Sequence, residues 1–234
     1  VGGGGGGVLQ RVAMIVIYAV VFWGVMHSRL RGVGGEFAYS IHLCAGVLTW
    51  GLFAEITGRA QNVFLEQANL LKKVSFPRLC LPVIVVLSAL VNFLIVFGLF
   101  TAFLVLVGAF PGWVFAALLP VLAVEVLLAV GLGVTLGVLN VFFRDVGPFY
   151  AVVLQFWFWL TPIVYPASIL PEWVRPVMAL NPMAQLTQAY QGILVAGQWP
   201  QWEGVGAVAL LAVGLCVLGW RLFRAHAGEM VDEL

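Results

Sequence analysis

The chain has 234 residues, 63% hydrophobic and 9% charged, with a formal net charge of +1. That composition excludes an ordinary water-soluble domain, and the near-neutral charge gives no reason to expect nucleic acid as a partner. Solid apolar runs near twenty residues mark membrane-crossing helices rather than the alternating strands of a barrel. Cys44, Cys80 and Cys216 lie far apart inside such runs, with neither a metal spacing nor a disulfide framework.

The opening VGGGGGG (residues 1–8 with Val8) is low-complexity and is set aside; residues 9–234 read as a single transmembrane domain. Six spans are predicted, at 9–27, 40–58, 79–107, 113–142, 147–165 and 204–223. The first carries Tyr18, Phe22 and Trp23. At the end of the second, Glu55 and Arg59 are four residues apart and predict an ion pair on one helix face.

The loop from Arg59 to Arg78 holds the sequence Asn69-Leu70-Leu71-Lys72-Lys73-Val74-Ser75-Phe76-Pro77-Arg78. Gln61–Lys73 predicts a helix with Phe64, Leu65, Ala68 and Leu71 on one side. Lys72 and Lys73 fall near its end, where cations complement the helix dipole, and Pro77 sets a boundary. Two readings stand side by side. A rigid capped helix can transmit a push from a cytosolic partner, and a helix with paired lysines can equally lie on anionic headgroups.

Spans three and four are long enough to tilt or project from the bilayer. Glu125 sits within span four, about a third of the way from its outer end. A carboxylate there costs on the order of 3 kcal/mol, so it must face protein or water. It is either functional or a neutral group bonded to a neighbouring helix; Asn92 in span three is the expected partner. Gly133 and Gly137 form a GxxxG, read as close packing within one subunit.

Asn140-Val-Phe-Phe-Arg144-Asp145-Val-Gly147-Pro148 then breaks the chain. The charges Arg144 and Asp145 either mark the membrane boundary or make a second contact with a cytosolic partner. Span five is crowded with aromatics, including Phe149, Tyr150, Phe156, Trp157, Phe158, Trp159 and then Tyr165. Interfacial belts account for part of this. Tyr150 and Trp157, seven apart, share a helix face. A conduit lined by such faces would stack on sugar rings and let a long polymer slide.

Pro162, Pro166, Pro171, Pro176 and Pro182 interrupt the next stretch repeatedly. Ser168–Leu180 and Met183–Gly192 are each too short to span, and predict a re-entrant pair of half-helices on the outer face; a structured outer loop is the alternative. With the N-terminus inside, the cytosolic side holds Arg11, Arg59, Lys72, Lys73, Arg78, Arg144, Arg221 and Arg224, against Arg29, Arg31 and Arg175 outside. That asymmetry places both termini in the cytosol. The chain has no GxxxxGK[ST] phosphate loop, so it cannot bind ATP by that route.

Several stretches together resemble the permease subunits of ABC exporters of polysaccharides and polyols, which handle O-antigen, capsule and teichoic acid. They are Asn69–Arg78, Leu81-Pro82, Asn140–Val146, Trp159-Leu-Thr-Pro162 with Tyr165-Pro166, and Leu180-Asn181-Pro182 with Tyr190. The resemblance implies a homodimer of six-helix subunits bound to two ATPase subunits, which hold ATP and magnesium; this chain itself would carry no cofactor and no catalytic residue. It implies that Asn69, Leu70, Lys72, Lys73, Phe76, Pro77 and Arg78 form a coupling helix, with Arg144 and Asp145 as a second contact. Spans one and five would border the conduit, making Tyr18, Phe22, Tyr150, Trp157, Trp159 and Tyr165 lining residues. One departure is that the family begins with a basic interfacial helix where this sequence has glycines.

The resulting expectation is an exporter of a lipid-linked glycan in the cytoplasmic membrane of a bacterium. The alternatives are a drug or lipid exporter permease of the same superfamily, or an ATP-independent channel or scaffold.

Overall fold

A backbone in lipid has no water to bond, so long apolar runs must close their hydrogen bonds internally as helices. The computed structural model describes residues 38–68, 80–165 and 175–230, and every regular element among them is helical. In chain order these are α1 (Ala38–Ala60), α2 (Val63–Glu66), α3 (Cys80–Leu106), a 3-10 helix (Gly112–Ala117), α4 (Leu118–Phe142), α5 (Val146–Leu160), α6 (Arg175–Leu180), α7 (Pro182–Ala196) and α8 (Trp202–His226). Among the described residues, four candidate spans are long and apolar enough to cross a membrane: α1, α3, the continuous Gly112–Phe142 stretch, and α8. The span predicted at 9–27 lies outside the described residues.

Two predicted elements change in the structure. The fifth span, expected over 147–165, is a helix of 15 residues. At a 1.5 Å rise that is about 22 Å, short of a ~30 Å hydrocarbon core. The reason is local: Thr161 is already extended, and Pro162 follows it. The helix expected over Gln61–Lys73 is seen as the short α2, with the residues after Ala68 outside the described set. Of the two expected half-helices, Met183–Gly192 falls within α7, whereas only the end of Ser168–Leu180 is seen, as α6, with residues 168–174 outside the described set.

The α7 boundaries follow from capping chemistry. The Asn181 side chain accepts from Met183 N and Ala184 N, with Pro182 in the first turn. At the other end Gly197 takes a left-handed φ of 59°, and Gln198 N reaches back to Gly192 O at 3.1 Å.

Helix α4 is the centre of the packing. It makes its most extensive contact with α8 and also lies along α1. Glycines permit the approach. A Cβ added at Gly131 would lie 2.7 Å from Cys216 N, one at Gly133 2.7 Å from Ala60 Cβ, and one at Gly137 2.8 Å from Ala60 O. Lipid tails are as apolar as leucine, so helices here associate through close van der Waals contact. The GxxxG expected to pack within the subunit does so, against α1 and α2. The core between these helices contains Phe53, Ile56, Val121 and Leu128, all nearly fully buried. By contrast Val83, Leu87, Leu94 and Leu99 on α3, and Leu210, Val213 and Val217 on α8, are exposed apolar side chains, as suits contact with lipid.

This packing yields a graded expectation. Gly131→Ala pushes a methyl into the α8 backbone, which cannot turn aside as a side chain would, and should cost about 1–3 kcal/mol. Gly214→Ala, whose added Cβ meets nothing within 4 Å, should be neutral. Thermal unfolding of the two purified variants in detergent checks the contrast.

Candidate functional site

Three polar junctions and one aromatic helix stand out from the apolar bundle. The first joins α1 to α3. Arg59 Nη1 lies 3.0 Å from Glu55 Oε1, the i,i+4 pair expected, and also donates to Ser88 Oγ at 3.2 Å. Asn92 Nδ2 donates to Glu55 Oε1 at 2.9 Å. Asn92 therefore serves Glu55 and not Glu125, contrary to the expected pairing.

The second junction lies at the other partner of that expectation. Glu125 is fully buried in α4, and Tyr190 Oη of α7 donates to its Oε2 at 2.7 Å. Its Oε1 has no hydrogen-bond partner among the described residues. Tyr190 is itself 2% exposed, so this bond pins α7 to the core of the bundle. Gln191 adds a second tie, donating from Nε2 to Pro162 O at 3.2 Å and to His42 O at 3.4 Å.

The third junction is built on Asn140, at the end of α4. Its Nδ2 donates to Gln61 O at 3.1 Å and Asn62 Oδ1 at 3.0 Å, and its Oδ1 accepts from Gly147 N at 2.9 Å. Arg144 and Asp145 sit in the adjacent turn, both exposed.

Helix α5 has two unlike sides. Tyr150 is buried, and Trp157 is half-buried with its ring edge-on to Trp50 (centroids 6.1 Å apart) and Phe53 (5.3 Å). The Trp157 indole N–H donates to Asn181 Oδ1 at 2.8 Å. Asn181 Nδ2 in turn reaches Leu160 O and Thr161 Oγ1, each at 3.3 Å. One asparagine thus caps α7 and holds the end of α5. On the opposite side Phe149, Phe156 and Trp159 are 63–70% exposed. Tyr165 Oη donates to Trp159 O at 2.9 Å, tying the following bend back to the helix. Tyr18, Phe22 and the basic stretch Asn69, Leu70, Lys72, Lys73, Phe76, Pro77 and Arg78 lie outside the described residues.

Comparison with known proteins places this architecture. The family model described as "ABC-2 type transporter" matches residues 4–195, most of the chain. This chain belongs to the ABC-2 type transporter family. It is similar to the O-antigen export system permease protein RfbA of Myxococcus xanthus, 28% identical over 222 residues that cover 94% of this chain and 83% of the relative. Two such proteins of Klebsiella pneumoniae are 26% identical over 221 residues and 24% identical over 219, each covering 93% of this chain and 83% of the relative. The chain is therefore a multi-pass membrane transport permease.

Within this ABC-2 permease, sequence reasoning missed the hubs Asn140, Asn181 and Gln191 as bonding centres, although all three lie in stretches it singled out. The signal was available: a carboxamide in an apolar helix is costly unless it is bonded. What could not be read was the partner, because Asn140 reaches across 78 residues of sequence to Asn62.

The Glu125–Tyr190 bond sets a test. Tyr190→Phe leaves both carboxyl oxygens without a partner and should cost about 1–3 kcal/mol. Combining it with Glu125→Leu replaces both polar groups with apolar ones and should recover most of the loss. Thermal unfolding of both single variants and the double variant measures this coupling.

Proposed function

We propose that this permease is the transmembrane half of an ATP-driven exporter of a lipid-linked polysaccharide of the O-antigen, capsule or teichoic-acid class. The observation that carries the reading is its likeness to O-antigen export permeases along nearly its whole length. It would act in the cytoplasmic membrane of a bacterium as a homodimer, with both termini cytosolic. Two separate nucleotide-binding subunits would bind ATP with magnesium. Hydrolysis there would move the cytosolic elements around Asn69–Arg78 and the Arg144-Asp145 turn, open a conduit and advance the glycan stepwise.

The two sides of α5 support a division of labour. Tyr150 and Trp157 are engaged within the subunit, whereas Phe149, Phe156 and Trp159 turn their rings outward. Flat aromatic faces offer a sugar polymer contact without directional demand, at about 1 kcal/mol per good contact. The outward rings are thus the better lining residues, and Trp157 the better brace.

Charge reversal tests the coupling. Lys72→Glu with Lys73→Glu should weaken co-purification of the ATPase subunit or uncouple its hydrolysis from export. Unchanged binding, hydrolysis and export would remove the coupling role of this loop. A second experiment separates brace from lining. Trp157→Ala should lower membrane abundance, since a large ring lost from packing costs about 3–5 kcal/mol. Trp159→Ala and Phe156→Ala should keep normal abundance and reduce surface glycan. Normal glycan in both would place the conduit elsewhere.

A further inference from the structure

Helix α5 begins without the usual cap. Its N-cap residue, Asp145, makes no side-chain cap bond. The first-turn donors are nonetheless accounted for: Val146 N bonds Phe143 O, Pro148 has no N–H, and Phe149 N bonds Asp145 O. The remaining donor, Gly147 N, is taken by Asn140 Oδ1 from the preceding helix. A residue in α4 thus caps α5.

The same carboxamide faces a third element. Its orientation follows from its partners, since Gly147 N–H requires the oxygen and Gln61 O requires the nitrogen. Both amide hydrogens are then directed at the joint between α1 and α2, one to Gln61 O and one to Asn62 Oδ1. Asn140 is 1% exposed, so no water competes for these bonds. The approach is tight: a Cβ on Gly147 would lie 3.3 Å from both Asn140 Nδ2 and Oδ1, and 3.4 Å from Asn62 Oδ1. Next to the junction, Phe64 of α2 packs on Gly137 of α4 and stacks on Phe223 of α8 at 5.8 Å.

We propose that Asn140 is a positioning residue for transport: it clamps the start of α5 to the α1–α2 joint, so that a displacement of the joint is passed to the aromatic helix. The inference rests on the exporter reading above. It assigns the polar end of α4 a role separate from any contact made by Arg144 and Asp145. Packing alone would hold the helices together; the three directed bonds fix where α5 starts relative to α1 and α2.

The chemistry offers a selective cut. Asn140→Asp keeps an oxygen for Gly147 N and so keeps the cap. It turns the other oxygen toward Gln61 O, a backbone acceptor that cannot become a donor, and so breaks the bond that ties α4 to the end of α1. The experiment uses the full permease with its ATPase subunit in membranes, and measures abundance, ATP hydrolysis and glycan exported per transporter. Leu128→Ala, a packing loss twelve residues earlier in α4, calibrates how export follows abundance. Wild-type permease with a hydrolysis-deficient ATPase subunit tests the underlying reading. If export persists there, the exporter reading falls and the inference with it. If export stops there, the variant decides. The expected result for Asn140→Asp is hydrolysis within twofold of wild type and export per transporter at least fivefold below the Leu128→Ala line. Export lying on that line would overturn the inference. Should Asn140→Asp fail to reach the membrane, Asn62→Leu, which deletes one of the clamp's acceptors, is read by the same ratio and with the same two outcomes.

Discussion

The close approach of α4 to its neighbours is the constraint on which the rest depends. In a bilayer the hydrophobic effect does not favour helix against helix over helix against lipid, so contact area at short range must do that work. Glycine at 131, 133 and 137 removes the side chains that would hold α8 and α1 away. Once the backbones meet, Thr135 Oγ1 comes within 3.5 Å of Leu215 O across the α4–α8 seam while bonding Gly131 O at 2.7 Å in its own helix. The polar junctions are set by the same geometry, since Glu125 and Asn140 project from a helix whose position the glycines fix.

Those junctions occupy successive levels of the bundle. Asn140 works at one end of α4, Glu125 in its middle, and Asn181 with Gln191 where α5 gives way to the bend and α7. Each joins elements far apart in sequence through a side chain that would be expensive to bury unbonded. Such bonds add little net stability individually, but they discriminate against helix rotations and slips that apolar packing tolerates. A transport protein needs that discrimination, because its helices must move as defined bodies rather than slide over one another.

Much of the fold was legible in the sequence for simple reasons. Length and apolarity reveal α1, α3, α4 and α8, because bilayer thickness dictates both. The Glu55–Arg59 pair was legible because helical periodicity is local. Two things were not. The end of α5 depended on whether Thr161-Pro162 would terminate or merely bend an aromatic-rich helix. The partner of Glu125 depended on where α7 packs, and nothing local to Glu125 or Asn92 encodes that. The aromatic face was half legible: a seven-residue spacing puts Tyr150 and Trp157 together but cannot say whether that side turns inward, and here it packs on Trp50 and Phe53.

The shortness of α5 carries a consequence for the surrounding lipid. A helix of about 22 Å beside neighbours of 25 and 23 residues creates hydrophobic mismatch along one side of the molecule. Acyl chains there must compress, or the polar bend from Thr161 to Tyr165 must be shielded by protein. The bend is partly shielded already, with Pro162 O and Val164 O taken by Gln191 and Tyr39. Where protein does not cover the bend, lipid beside α5 adapts by local thinning, which the longer α4 and α1 do not require.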